Sequence, residues 1–162
     1  MAKVIVWTQA YNAEKTLRRA MDSILQQTYP DLEYYVLDNG SPDRTGEIIA
    51  EYAKEDPRVI PLQRKENSLC ASEEFLPDIF QKSDAEWFVW CDADDRYDTT
   101  FLEKMVQFAE TNHLDIAACG YRQIDGQTEE VLKERTIEQP LIITGDGFHE
   151  KFVEYRGFIV GF

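Results

Sequence analysis

Short hydrophobic runs alternate with helical stripes over the first two-thirds of the chain. The runs are Val4-Ile5-Val6-Trp7, Tyr34-Tyr35-Val36-Leu37, Val59-Ile60-Pro61-Leu62, Trp87-Phe88-Val89-Trp90-Cys91 and Ile116-Ala117-Ala118-Cys119. Each has strand length and polar or turn-forming flanks, so they predict five strands, with the fourth buried. Pro61 cannot donate to a central ladder, which predicts that strand three lies at an edge. Between the runs, apolar residues recur at helical spacing. Leu17, Met21, Ile24, Leu25 and Thr28 share one face of a first helix, with Asn12 as a candidate cap and Tyr29-Pro30 as its stop. Ile48, Ile49, Tyr52 and Ala53 mark a second helix, for which Ser41 reads as N-cap and Pro42 as first helical residue. Phe75, Leu76, Ile79 and Phe80 mark a third. Leu102, Met105, Val106 and Ala109 mark a fourth, capped at Thr99 or Thr100. The alternation predicts an α/β fold: a mostly parallel sheet with helices on both faces.

From Tyr121 the pattern changes. Asp125-Gly126 predicts a turn between two antiparallel segments, Tyr121–Ile124 and Val131–Arg135. Leu141-Ile142-Ile143 reads as a further strand, and Thr144 precedes a last helix reaching about Tyr155. The sequence stops on Gly157-Phe158-Ile159-Val160-Gly161-Phe162, an apolar ending unlike the polar tails of most chains. That predicts a longer natural protein.

Bulk properties narrow the classes. The 162 residues suit one domain, and 43% hydrophobic with 30% charged residues is a globular composition. A net charge of −14 without a basic patch argues against a nucleic-acid partner. Cys70, Cys91 and Cys119 are odd in number and lack metal-type spacing. Cys91 and Cys119 read as buried small hydrophobes, which fits a reducing, cytoplasmic compartment. The opening run Val4 to Trp7 is too short for a signal peptide or a membrane span, so any membrane association is expected to be peripheral, at the inner face, or to come from sequence outside these residues.

Candidate chemistry gathers at the ends of strands one, two and four. Thr8-Gln9-Ala10-Tyr11-Asn12, Asp38-Asn39-Gly40-Ser41 and Asp92-Ala93-Asp94-Asp95 follow those runs. In a doubly wound sheet such ends line one crevice, where ligands bind. Singly, each has a plain reading: Asn12 as a cap, Tyr11 as packing, Asp38 to Ser41 as a turn, the acidic run as a solvated turn. Together they suit a nucleoside diphosphate. Clustered carboxylates repel and call for a divalent cation. Asp38 would accept the imide N–H of uracil, Tyr11 would stack on the base, Asp92 would hold ribose hydroxyls, and Asp94 would ligate a cation bridging two phosphates.

These motifs resemble glycosyltransferase family 2. The opening Thr8-Gln9-Ala10-Tyr11-Asn12, the helix end Ser23-Ile24-Leu25-Gln26-Gln27-Thr28-Tyr29, the segment Val36-Leu37-Asp38-Asn39-Gly40-Ser41-Pro42-Asp43-Arg44-Thr45 and the Asp-x-Asp-Asp at 92–95 carry the likeness over about residues 3–110. It implies a GT-A fold and an inverting sugar transfer from a nucleotide-sugar donor to a glycan or other hydroxyl acceptor, with Mn²⁺ or Mg²⁺. It also implies nucleoside contacts at Thr8, Ala10, Tyr11 and Asp38, with Asp92 on the ribose or metal side and Asp95 toward the donor sugar; Asn12, Asn39, Arg64 and Ala93 beside them complete the expected substrate-side set. The metal would fall to Asp94, with Asp92. Residues 1–120 would bind the donor, and 121–162 would begin the acceptor side.

Two departures from the family pattern stand out. Asn39 replaces the second acid of the usual pair. Asn67-Ser68-Leu69-Cys70-Ala71-Ser72-Glu73-Glu74 stands where many members carry a Gly-rich segment with Ala-Arg-Asn, leaving Arg64 or Lys65 to offer positive charge to the diphosphate. Asp146, His149 and Glu150 are late candidates for the catalytic base, but they fit better in the first turns of a helix. The base is therefore expected beyond Phe162. The alternative is a catalytically inactive nucleotide-sugar-binding module. A receiver-type α/β domain would need acids after strand one, where Thr8-Gln9-Ala10 stands. A phosphatase built on Asp-x-Asp would need Thr or Val where Arg96 stands.

Overall fold

The computed structural model describes residues 2–136 and residue 142. Its elements run β1 Val4–Ala10, α1 Leu17–Leu25, β2 Leu32–Asn39, α2 Thr45–Glu55, β3 Val59–Arg64, α3 Ala71–Lys82, β4 Trp87–Trp90, α4 Phe101–Thr111, β5 Tyr121–Ile124 and β6 Val131–Arg135. The chain divides into two compact units, Met1–Val106 and Gln107–Phe162.

The first unit is a four-stranded parallel sheet in the order β3-β2-β1-β4. Both inner strands carry long apolar stretches because helices cover both faces. On one face Val4, Val6, Tyr34 and Val36 pack with Leu17, Met21 and Ile24 of α1, Ile48 and Ile49 of α2, and Leu102 and Val106. On the other, Ile5, Trp7 and Leu37 pack with Ala71, Phe75 and Ile79 of α3. β3 is an edge strand, as Pro61 predicts. β4 is the other edge, and here the expectation of a buried strand fails: Phe88 is 38% and Trp90 42% exposed. A four-residue aromatic run reads the same at an edge as at the centre, because its composition does not say which side has a neighbour.

The second unit pairs β5 with β6 antiparallel, from Tyr121↔Arg135 to Ile124↔Val131. Asp125 makes the turn between them: its Oδ1 accepts the N–H groups of Gln127 and Thr128. Residues 116–119 form no strand, contrary to expectation, and Ile116 and Cys119 are exposed. An apolar run becomes a strand only beside a partner ladder, and no strand pairs with it among the described residues. The predicted elements between residues 141 and 155 lie outside the described residues, apart from Ile142, which has no regular structure.

Helix starts also differ from expectation. Asn12 sits at φ 55° and α1 begins at Leu17, five residues later. Ser41 does not cap α2, which begins at Thr45. Thr28 lies past the end of α1, where its N–H donates to the Thr99 carbonyl. In each case the polar side chain or backbone group serves a tertiary contact instead of its own helix.

Candidate functional site

Strand register brings the predicted segments together. Ala10 pairs with Asp38, Asp38 with Gln63, and Trp7 with Trp90. The carboxyl ends of β3, β2, β1 and β4 therefore form one row along the sheet edge, about 4.8 Å apart per strand. This is the crevice position of an open α/β sheet. Thr8 ties three of these strands into a single piece. It is fully buried, its hydroxyl donates to the Cys91 carbonyl at 2.7 Å, and it lies 3.0 Å from the Tyr34 hydroxyl. Ala10 is buried, whereas the Tyr11 ring is 49% exposed at the strand's end.

The loop after β1 is stitched to the loop after β2. The N–H groups of Asn12, Ala13 and Glu14 donate to Ser41 Oγ at 3.1 Å, Thr45 Oγ1 at 2.8 Å and Asp43 Oδ2 at 3.0 Å. Three successive backbone donors that would be orphans near a helix start are satisfied by side chains from the neighbouring strand's loop. Ser41, expected as an N-cap, instead accepts the N–H of a residue 29 positions distant.

Asp38 is 5% exposed, at the end of β2. Its Oδ1 accepts the Ser41 N–H at 2.9 Å. Its Oδ2 faces Gly46, where an added Cβ would lie 2.6 Å from that oxygen. Gly46 therefore makes room for the carboxylate within the first turn of α2. A cavity of about 230 Å³ opens beside it, lined by Asp38, Gly46, Ile49, Pro61 and Gln63. A carboxylate acceptor, a side-chain amide and apolar walls together can hold a planar polar group. Sequence reasoning missed Gly46 and Gln63; a glycine one residue into a helix was the only available signal.

The acidic segment forms a turn past β4, closed by the Asp95 N–H donating to the Asp92 carbonyl at 3.1 Å. Asp92 Oδ1 accepts the Trp90 indole N–H at 2.7 Å, which fixes that carboxylate. Ala93 packs against the core, and Asp94 is exposed. Loss of water around Asp95, then the charges of Asp94 and Asp92, push its carboxyl upward, while Arg19 works the other way. Arg19 also reaches the Asp94 carbonyl at 3.4 Å. Burial, then Asp95 and Asp92, push the Cys91 thiol up to about 12, so it stays protonated.

Beyond the turn, Gln27 and Tyr97 hold the chain in place. Gln27, 6% exposed, donates to the Asp98 carbonyl and accepts the Leu102 N–H. The Tyr97 hydroxyl donates to the Trp90 carbonyl, and its N–H donates to Ser23 Oγ at 3.2 Å. Gln27 and Ser23 were visible in the sequence only as part of a helix end.

On the β3 side, Arg64 pairs with Glu74 of α3, and its Nε donates to the Glu66 carbonyl. Asn39 is buried and bonded to residues 67 and 68. Arg64 and Asn39 thus stand at the β2–β3 end of the row, and the three aspartates stand at the β4 end.

The acidic turn suits a hard divalent cation: carboxylate oxygens are its preferred ligands, and like charges close together favour it. Among the described residues, no group of three or more acidic, histidine or cysteine side chains is placed to hold an ion unaided. A cation at Asp94 would complete its shell with phosphate and water oxygens, as Mg²⁺ commonly does.

A parallel sheet flanked by helices, with polar strand ends in one row and a small antiparallel pair after it, defines a Rossmann-like α/β domain of the GT-A type. The chain belongs to glycosyl transferase family 2, whose family model matches residues 5–162. It is similar to the uncharacterized glycosyltransferase EpsJ of Bacillus subtilis, 31% identical over 111 residues, covering 68% of this chain and 31% of EpsJ. It is also similar to a teichuronic acid biosynthesis glycosyltransferase, TuaG, of the same organism, 28% identical over 118 residues, covering 73% of this chain and 46% of TuaG. Residues 1–349 of S. aureus TarS in complex with UDP-GlcNAc share the fold, with a TM-score of 0.62 at 21% identity, over 85% of this chain and 37% of that 1–349 chain. The chain spans about a third of EpsJ and under half of TuaG. No helix among the described residues is long and apolar enough to cross a membrane.

Proposed function

We propose that this chain is the donor-binding part of an inverting, metal-dependent glycosyltransferase. It would move a sugar from a nucleotide-diphosphate donor, UDP-linked in this reading, to a glycan or other hydroxyl acceptor in cell-surface polysaccharide synthesis. The observation that carries the proposal is the row of strand ends, with buried Asp38 at one end and the acidic turn at the other. The distance between them is two strand spacings, about 10 Å. A nucleoside diphosphate laid along that row puts its base at Asp38 and its phosphates at Asp94. The UDP-GlcNAc bound by the TarS structure and the name of TuaG support the donor class and the polysaccharide setting.

Each residue then has a task. Asp38, held by the Ser41 N–H, accepts the imide N–H of the base, and Tyr11 covers the ring. The loop at Ala10 and Asn12 shapes the nucleoside pocket with Thr8 beneath it. Asp92, fixed by Trp90, takes ribose hydroxyls or joins Asp94 at the cation, Asp95 contacts the donor sugar, and Ala93 anchors the turn that presents them to the substrate. Arg64 and Asn39 flank the base end. Mn²⁺ or Mg²⁺, when bound, would supply positive charge to the departing diphosphate. In an inverting transfer a carboxylate takes the acceptor's proton, the acceptor oxygen bonds to the anomeric carbon, and the phosphate oxygen leaves with its electron pair. We place that base beyond Phe162. Residues 1–120 would hold the donor and 121–162 would open the acceptor side. In this reading the chain works in the cytoplasm, at or near the inner membrane face; free Cys70, Cys91 and Cys119 fit a reducing compartment.

Calorimetric titration with UDP tests the reading. Binding should require Mn²⁺, disappear with chelator and fall at least tenfold in Asp94→Ala. Equal affinity with and without metal would remove the acidic turn from the site. In a comparison of UDP with GDP, dTDP and CDP, a preference for CDP, which lacks the imide donor, would overturn the role of Asp38.

A further inference from the structure

The two departures from the family pattern meet in space. Asn39 ends β2 on the α3 side of the sheet and is 1% exposed. Its Nδ2 donates to Asn67 Oδ1 and to the Ser68 carbonyl, both at 2.8 Å. Its Oδ1 accepts the Ser68 N–H at 3.2 Å. One side chain thus makes three bonds to two consecutive residues of the loop between β3 and α3. The next residue makes that closeness possible: a Cβ on Gly40 would lie 2.7 Å from the Glu66 carbonyl carbon and 2.9 Å from the Asn67 nitrogen, and its φ is +75°. Strand end and loop are in backbone contact, with Asn39 as the fastener.

We infer that Asn39 is a positioning residue that latches residues 66–68 onto the end of β2, and that the latch requires a proton donor at position 39. Two of its three bonds are donated by the amide nitrogen, and one of these goes to the Ser68 carbonyl, which cannot donate in return. A carboxylate there would set negative charge against the Ser68 carbonyl, a repulsion that turning over the Asn67 amide cannot relieve, and the loop would let go. The latched loop forms the β3-side wall of the row of strand ends. Its role in ligand binding rests on the function proposed above; the latch itself does not.

The donor–acceptor directions predict an asymmetry. Asn39→Asp should release the loop, whereas Asn67→Asp should keep it, because residue 67 only accepts. Asn39→Asp should also regain the latch in acid, when the carboxyl carries its own O–H. The charged groups around position 39 are Asp38 on its own strand, Arg64 beside it on β3, Lys65 and Glu66 in the loop, and Glu74 on α3, paired with Arg64. Burial and Asp38 raise such a carboxyl in the latched state, while Arg64, already paired with Glu74, opposes them; the latch should begin to return as pH falls through that raised value and be complete below about pH 4.

Hydrogen exchange of the ligand-free chain tests this at the amides of residues 66–70, after correction for intrinsic pH effects. The wild type and Asn67→Asp should be similarly protected at pH 7.5. Asn39→Asp should lose about tenfold protection there and recover most of it near pH 3.5. A loop equally protected in Asn39→Asp at pH 7.5, or a loss seen instead in Asn67→Asp, would overturn the latch. Should Asn39→Asp fail to fold, Asn39→Leu, close in shape but without a donor, should release the loop, and a loop still protected in that variant would overturn the latch. UDP with Mn²⁺ adds a separate readout: weaker binding in Asn39→Asp, near-unchanged binding in Asn67→Asp. A wild type that binds no UDP would end the proposed function and leave the exchange result standing.

Discussion

A carboxylate as buried as Asp38 needs its space kept open, and Gly46 keeps it. Replacing Gly46 by alanine places a methyl group where Asp38 Oδ2 requires clearance. Alanine also raises helix propensity by about 1 kcal/mol, which offsets part of the steric cost to stability. The expected outcome is a small change in melting temperature with at least a tenfold loss of UDP affinity by calorimetry. Unchanged affinity would separate Asp38 from base recognition. Buried polar residues are therefore the place where this chain's chemistry and its stability can be told apart. Asp38 serves a ligand in our reading, and Gln27 serves the fold by joining the end of α1 to the start of α4.

At the scale of elements, Thr8 links β1 to β2 and β4. Thr8→Val preserves shape and strand propensity but removes the bonds to the Tyr34 hydroxyl and the Cys91 carbonyl. Urea denaturation should show a loss of about 1–3 kcal/mol, the cost of leaving buried partners unmet. The turn from α2 to β3 is held by Arg58, which pairs with Asp56 at 2.7 Å and donates to the Leu25 carbonyl of α1 at 2.9 Å. The Arg58 guanidinium beside it lowers the Asp56 carboxyl below the usual range. A depressed carboxyl stabilises the fold above its unfolded value, near pH 3.9, and loses that contribution as pH falls through the folded value. The stability gap between wild type and Asp56→Asn should hold at neutral pH and close below about pH 4 in denaturation series. The strands β1 to β4, the edge position of β3 and the Asp125-Gly126 hairpin were legible in the sequence, because alternation and turn chemistry are local. Helix starts were not. Ser41 and Asn12 look like caps, yet Ser41 Oγ accepts the Asn12 N–H across the crevice, and a single chain pattern cannot show such a pairing. The strand ends could be named from the sequence, but their row order needed the crossover connections, and Gly46, Gln63 and the Asn39 latch needed the packed structure.

For the whole molecule, the net charge of −14 opposes an anionic donor and attracts a cation. Screening should act on the two in opposite directions. Raising salt from about 0.05 to 0.5 M should weaken Mn²⁺ binding to the ligand-free chain, while stopped-flow association of UDP at saturating Mn²⁺ should speed up. A UDP rate that falls with salt would point to a local positive field stronger than the overall charge. The two margins of the sheet differ in a way that bears on handling the protein. β3 carries Pro61, which blunts its outer side as a template for strand addition. β4 carries no such guard: Phe88, Trp90 and the neighbouring Phe80 form an exposed aromatic ladder, with Phe80 and Phe88 edge-to-face at 5.2 Å. Were strand addition to occur on this sheet, β4 is the margin whose composition invites it, and Phe88→Lys should lower any concentration dependence of the sedimentation coefficient.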